Sequence, residues 1–230
     1  MNFKAILFDL DYTLFDSETS EREALEKTLI SSGIDPFETT IRKYQEINHD
    51  LWKLLEREDV TLEHLRVKRF EELLLHLGLN MDPLLLADAY TRNLGICGNF
   101  YPQARKVLER LGSETKLGLV TNGVSETQRT RLQIHNFSNH FDAIVVSGEF
   151  GIPKPNPAIF QETLNLLNLE ANEHVLMVGD SLTSDMAGAN ISGLSSCWFN
   201  PMRNDPPVNS DIDYVIHSLD QLLEINYTDV

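Results

Sequence analysis

Cysteine is scarce in this chain of 230 residues: Cys97 and Cys197 stand alone and far apart. That pattern excludes a disulfide-stapled scaffold and a cysteine metal clip, and two buried free thiols suit a reducing compartment. Long apolar runs are missing too. No stretch approaches the roughly 20 residues that span a bilayer. The opening MNFKAILFDLDYTLFD interrupts its short apolar run with acids and lacks the cleavage site of a secretory signal. The expected setting is therefore cytoplasmic, with no membrane partner. Basic residues are outnumbered, 19 Lys and Arg against 35 Asp and Glu, for a formal net charge of −16. A surface that negative repels a polyphosphate backbone, so no nucleic-acid polymer is expected as a partner. Internal repeats and low-complexity tracts are also lacking, and the seven histidines follow no metal-ligand spacing.

What the chain does contain is enough apolar residue, 42%, to build a core domain plus a smaller insertion. Lys4–Phe8 is a short apolar run ending at an acid, the pattern of a buried parallel strand. From Ser17 to Leu94 helical patterns follow one another: Glu21–Ser31, Glu38–Arg57, Leu62–Leu77 and Pro83–Asn93. Thr61 and Asp82 read as N-caps, and Gly33 and Gly78 as helix stops. Beyond Pro102, strands and helices alternate. Strands are expected at Lys116–Val120, Ala143–Ser147, His174–Val178, Ser196–Phe199 and Tyr214–His217. Helices are expected at Gln103–Leu111, Ser125–His135, Pro157–Leu167 and Ser184–Ser192. Asn200–Asn209 reads as a proline-rich surface loop. Repeated strand–helix units call for right-handed crossovers and a doubly wound α/β parallel sheet. The predicted organisation is an α/β core of residues 1–16 and 95–230, interrupted by an all-helical cap of residues 17–94.

Several of these strands end in polar residues of one chemical theme. The first runs into Asp9-Leu10-Asp11-Tyr12-Thr13, the second into Thr121-Asn122, and the His174–Val178 strand into Gly179-Asp180, with Asp185 a turn later. Lys154 sits in the loop Gly151–Pro157. In open α/β sheets ligands bind at the carboxyl ends of strands. If these ends converge, crowded carboxylates repel unless a cation neutralises them, and Mg²⁺ with oxygen ligands is the natural candidate. A single such Asp would be a plain turn former; the set is a site.

The set Asp9-x-Asp11-x-Thr13, Thr121-Asn122, Lys154-Pro155 and Gly179-Asp180-x-x-x-x-Asp185 resembles the four signature motifs of the haloacid dehalogenase superfamily. The helical insertion resembles that superfamily's cap. The resemblance implies catalytic roles for Asp9, Asp11, Thr121 and Lys154. Asp9 is the nucleophile that forms an aspartyl-phosphate, and Asp11 is the acid and then base. It implies Mg²⁺ held at Asp9, the Asp11 carbonyl and Asp180, with support from Asp185. It further implies phosphoryl oxygens bound by Thr121, Asn122 and Lys154.

Within that superfamily, displacing halide needs no acid at the Asp11 position, so Asp11 favours phosphate-ester hydrolysis. Lys27, Lys43, Lys53 and Lys68 in the cap read as helix-surface residues rather than Schiff-base lysines. Tyr44-Gln45-x-x-Asn48-x-x-Leu51-Trp52, Arg69-Phe70, Lys154-Pro155-Asn156-x-x-Ile159-Phe160, Leu176–Asp180 and Cys197-Trp198-x-Asn200 resemble the bacterial pyrimidine 5'-nucleotidases. The resemblance implies a small phosphate ester, a nucleoside monophosphate, as substrate, with Asn48, Trp52 and Arg69 as candidate contacts. Helix packing is the plainer role for Trp52. A sugar-phosphate phosphatase and a non-catalytic binding module on the same scaffold are the competing functions.

Overall fold

The computed structural model describes residues 3–227 except 58, 173 and 209. Asn209, the expected end of the proline-rich loop, therefore lies outside the described residues. In chain order the elements begin with β1 (Ala5–Phe8), α1 (Ser17–Ser31), α2 (Glu38–Glu56), α3 (Leu62–Leu77) and α4 (Pro83–Ile96). Next come α5 (Ala104–Gly112), β2 (Lys116–Thr121), α6 (Ser125–Ile134), β3 (Ala143–Val146), α7 (Ser147–Phe150) and α8 (Pro157–Leu167). The chain continues with β4 (Val175–Gly179), α9 (Ala187–Ile191), β5 (Ser195–Phe199), β6 (Tyr214–Ile216) and α10 (Gln221–Tyr227).

The strands form one six-stranded sheet in the order β3-β2-β1-β4-β5-β6, parallel throughout. β1, Ala-Ile-Leu-Phe, is buried along its whole length, as a central strand covered by helices on both faces must be. The chain moves outward from β1 through β2 to β3, then returns to place β4 on the other side of β1. Strand order therefore reverses between β1 and β4, the position where open α/β sheets open a crevice. Close approach between layers is bought with glycine at Gly118. A Cβ there would lie 2.6 Å from Leu7 Cδ2 and 3.1 Å from the Thr163 methyl.

The chain divides into two compact units. One comprises residues up to Asp16, Phe100–Asn122 and His135 onward; it holds the sheet. The other comprises Ser17–Asn99 and Gly123–Ile134; it is helical. The sequence-based division differs here, because it left 95–99 and α6 with the core. The physical reason lies on one face of α6. Thr127 donates to the Thr91 carbonyl, and the buried Arg131 donates to the Leu94 carbonyl, Gln128 Oε1 and Ser20 Oγ. A guanidinium that spends its donors on α1 and α4 ties its helix to them.

A second difference is local. The expected helix Ser184–Ser192 begins instead as a π-helical turn, Leu182–Met186, and only then becomes α9. The Ser181 carbonyl accepts from both Asp185 and Met186 N–H, while Ser181 Oγ accepts from Ser184 N–H. These bonds widen the first turn around Asp185. Such widened turns are frequent at functional sites. Thr61 and Asp82 cap α3 and α4 as expected, accepting from His64 and Leu84 N–H. Both cysteines are free and buried. Among the described residues no helix is long and apolar enough to cross a membrane.

Candidate active site

β1 delivers Asp9. Its N–H continues the ladder for one more residue, donating to the Val178 carbonyl at 2.9 Å. The chain then turns sharply, with the Leu10 carbonyl accepting from Thr13, Leu14 and Phe15 N–H and Tyr12 in the left-handed region at φ 58°. A bulky residue is rarely found there, and such conformations cluster at functional sites. The turn brings Asp11 into a bridge with Phe15 and leaves it partly accessible.

β4, next to β1, delivers Asp180, and the widened turn behind it delivers Asp185. Gly179 is what allows this. A Cβ at Gly179 would fall 2.2 Å from Asp185 Oδ2, so only glycine lets that carboxylate lie against the strand. Asp185 Oδ2 accepts from Ser181 N–H at 3.0 Å. Asp180 is held at two points: Thr13 Oγ1 lies 3.4 Å from its Oδ1, and the Trp198 indole N–H donates to its carbonyl at 2.9 Å.

Lys154 arrives from the loop after α7, at the edge of β2. Its ammonium lies 2.5 Å from Asp9 Oδ1, 2.7 Å from Asp185 Oδ1 and 2.7 Å from the Val120 carbonyl. Asp185 Oδ1 is within ion-pair range of the lysine yet outside hydrogen-bond geometry, so that buried oxygen has no hydrogen-bond partner. The Lys154 backbone is clamped by the side chain of Asn122, which accepts from its N–H at 2.9 Å and donates to its carbonyl at 3.0 Å. Thr121, fully buried, ends β2 beside β1.

The electrostatics follow from this crowding. Asp9, Asp180 and Asp185 each present a carboxylate oxygen, and these atoms lie within 4.8 Å of one another. Three negative groups share one lysine. Burial, reinforced by Asp185 and Asp11 and opposed by Lys154, pushes Asp9 up to about 7. Burial and the charges of Asp185 and Asp9 hold Asp180 well above the usual carboxylate range. Burial on its own would lower Lys154, but Asp185 and Asp9 outweigh it and keep the ammonium charged. An all-oxygen set with more negative charge than its one lysine offsets fits a hard divalent cation such as Mg²⁺.

In the helical unit, the structure brings two of the three sequence-predicted substrate residues together. Arg69 Nη1 donates to Asn48 Oδ1 at 3.2 Å, and both side chains are buried. The guanidinium sits 4.5 Å from the Tyr90 ring centroid and 5.6 Å from that of Phe70. Among the described residues Arg69 Nε is buried without a hydrogen-bond partner. Burial drives Tyr44 up to about 12 and Tyr90 well above its usual range. Trp52 packs, partly buried, against the helical core instead.

Sequence reasoning assigned no role to Thr13 or Trp198 in the site. Thr13 stood in the first motif, and its polar hydroxyl after a strand was the available signal. Trp198 stood in the segment Cys197-Trp198-x-Asn200, but its contact with the Asp180 turn was not legible, because its position opposite Gly179 depends on the pairing of β4 with β5.

Comparison with known proteins agrees with this geometry. The haloacid dehalogenase-like hydrolase family pattern matches residues 6–199, a span that takes in all seven of the sheet-edge residues predicted from sequence. The pyrimidine 5'-nucleotidase PynA of Streptococcus pneumoniae is 30% identical over 225 residues, covering 97% of this chain and 95% of that protein. The pyrimidine 5'-nucleotidase YjjG of Escherichia coli is 30% identical over 227 residues, 98% of each. The HAD-hydrolase YfnB of Bacillus subtilis, solved bound to magnesium, superposes with a TM-score of 0.91 at 31% identity, over 98% of this chain and 99% of that one. With the sheet order, the convergent carboxylates and matches over nearly the whole length in agreement, the chain belongs to the haloacid dehalogenase-like hydrolase family.

Proposed function

We propose that this chain is a Mg²⁺-dependent phosphate-monoester hydrolase that works through an aspartyl-phosphate at Asp9, with pyrimidine nucleoside 5'-monophosphates as its substrates. The observation that carries the reading is the convergence of Asp9, Asp180 and Asp185, their carboxylate oxygens within 4.8 Å of one another and two of the three paired with Lys154, where the strand order reverses. Phosphoryl transfer asks mainly for positioning and charge stabilisation, which this arrangement can supply. Mg²⁺, held by Asp9, the Asp11 carbonyl and Asp180 with Asp185 behind them, would offset the charge of the phosphoryl oxygens.

The residues of the chain do the rest. Asp9 attacks phosphorus in line, forming its acyl-phosphate bond as the P–O bond to the leaving alkoxide breaks. Asp11 gives that alkoxide its proton. Asp11 then takes a proton from water as the water oxygen bonds to phosphorus, which frees the Asp9 carboxylate and inorganic phosphate. Lys154 keeps Asp9 oriented and offsets charge on the transferred group, while the Thr121 hydroxyl and Asn122 N–H hold its oxygens. Asn48 and Arg69 are the proposed contacts for the nucleoside; Trp52, expected as a third, packs against the helical core. The near-full-length similarity to two pyrimidine 5'-nucleotidases supports that substrate class.

Asp9→Asn removes the nucleophile. Its expected effect is a fall in kcat of at least about 10³-fold on an aryl phosphate with Mg²⁺, with the fold retained. EDTA should abolish wild-type turnover and Mg²⁺ restore it. Turnover equal in wild type and Asp9→Asn would refute the enzyme reading, and turnover undiminished in chelator would refute the metal role. A panel scored by kcat/KM tests the substrate: no preference for nucleotides over sugar phosphates would leave a phosphatase of the second kind.

A further inference from the structure

We propose that Trp198 is a positioning residue for the metal-binding turn at Asp180, and that its indole reports occupancy of the cation site. The inference rests on the reading of Asp180 as a metal ligand.

The pairing of β4 with β5 ends at Gly179 opposite Trp198. Asp180 is the first residue past that ladder, so its carbonyl has no strand partner to accept from. A backbone carbonyl left unpaired in a buried setting is costly. The Trp198 indole N–H meets it at 2.9 Å, and the indole is itself almost wholly buried. A rigid, packed ring thus sets the direction of the backbone at the point where the Asp180 carboxylate leaves it. On the carboxylate side Thr13 Oγ1 lies 3.4 Å from Oδ1, a long contact. The indole is therefore the firmer of the two restraints. Without it Asp180, which is repelled by Asp185 and Asp9, would be free to swing away from them. Partners one step behind a ligand commonly change metal affinity by 10–100-fold when removed.

The same bond makes the residue a probe. The chain has two tryptophans, Trp52 and Trp198. Trp52→Phe leaves Trp198 as the sole indole, hydrogen-bonded to the residue that would bind the cation. Arrival of a divalent charge at Asp180 changes the field across that ring, so Trp198 emission should change saturably with Mg²⁺.

The test titrates Mg²⁺ into the full-length chain by calorimetry and, in Trp52→Phe, by indole fluorescence. Trp198→Phe keeps an aromatic ring but loses the N–H. Expected is Mg²⁺ binding weakened about 10-fold in Trp198→Phe, with the fold retained but thermal stability in EDTA lowered by the unpaired Asp180 carbonyl. In Trp52→Phe an emission change should give the calorimetric Kd. Cys197→Ala, which loosens the same strand beside Trp198 without touching Asp180, should bind Mg²⁺ as wild type does. Equal Mg²⁺ affinity in Trp198→Phe and wild type, equal weakening in Cys197→Ala, or an emission that ignores Mg²⁺ would each overturn the inference. If Trp198→Phe fails to fold, the fluorescence titration of Trp52→Phe decides alone. Wild type that binds no Mg²⁺ would overturn the metal reading together with this one.

Discussion

Lys154 and Asn122 are 32 positions apart, yet they act as one device. The Asn122 amide grips the lysine backbone at both its N–H and its carbonyl, so the ammonium has little freedom in where it meets Asp9 and Asp185. Asn122 was expected to serve the phosphoryl group through its N–H; the side chain's work on Lys154 was not legible, because it depends on which loop folds beside which strand end. Asn122→Ala should therefore lower kcat by roughly 10²-fold, the cost of a catalytic group displaced by about an ångström. KM should change much less, as steady-state kinetics on an aryl phosphate would show. An unchanged kcat would mean the clamp is not needed. The Asp9–Asp11 pair, by contrast, was legible outright: two acids directly after an apolar run form a pattern that needs no tertiary information.

The elements were readable to the extent that each carries its own period. The six strands are short apolar runs, and the structure returns all six close to their expected bounds. The helical insertion announced itself through caps at Thr61 and Asp82 and the stop at Gly78. The turn after β4 did not. Its π-helical form follows from Asp185 being drawn against Gly179 and from Ser181 accepting several N–H groups at once, and neither contact has a sequence period. Gly179→Ala tests this element. The new methyl collides with the Asp185 carboxylate, and relieving that overlap should cost about 1–3 kcal/mol of stability, measured as a lower midpoint in urea. A variant as stable as wild type would show that Asp185 can retreat freely.

For the whole molecule the decisive quantity is charge. The net −16 repels anions at long range, so the positive charge of Lys154, and of the cation proposed beside it, would have to act locally. The same crowding makes the metal-free fold sensitive to pH. Asp9 has a folded value of about 7 against an ordinary 3.8, and Asp180 is raised as well. The folded chain thus holds these protons more tightly than the unfolded one. The stability they contribute is fully present below about 4 and is lost as pH rises through about 7. In EDTA, Tm should fall between pH 5 and pH 8, and Mg²⁺ at pH 8 should recover the loss. Scanning calorimetry of wild type and Asp9→Asn checks the sign: Asp9→Asn should lose much of the slope, and a wild-type Tm that rises across this window would contradict the crowding.

The sequence by itself determined the strand–helix alternation, the inserted helices and which polar residue types follow each strand, because apolar periodicity and residue type are local properties of the chain. Only the tertiary structure decided which strand ends meet. The reversal of strand order sets Asp9 beside Asp180, β5 presents Trp198 to the Asp180 carbonyl, and the Arg131 donors draw α6 into the helical unit. These are contacts between residues far apart in the chain, fixed by packing and by the need to satisfy buried polar groups. Asp9 and Asp11 could thus be read from the sequence, but the partners that shift and position Asp9 could not.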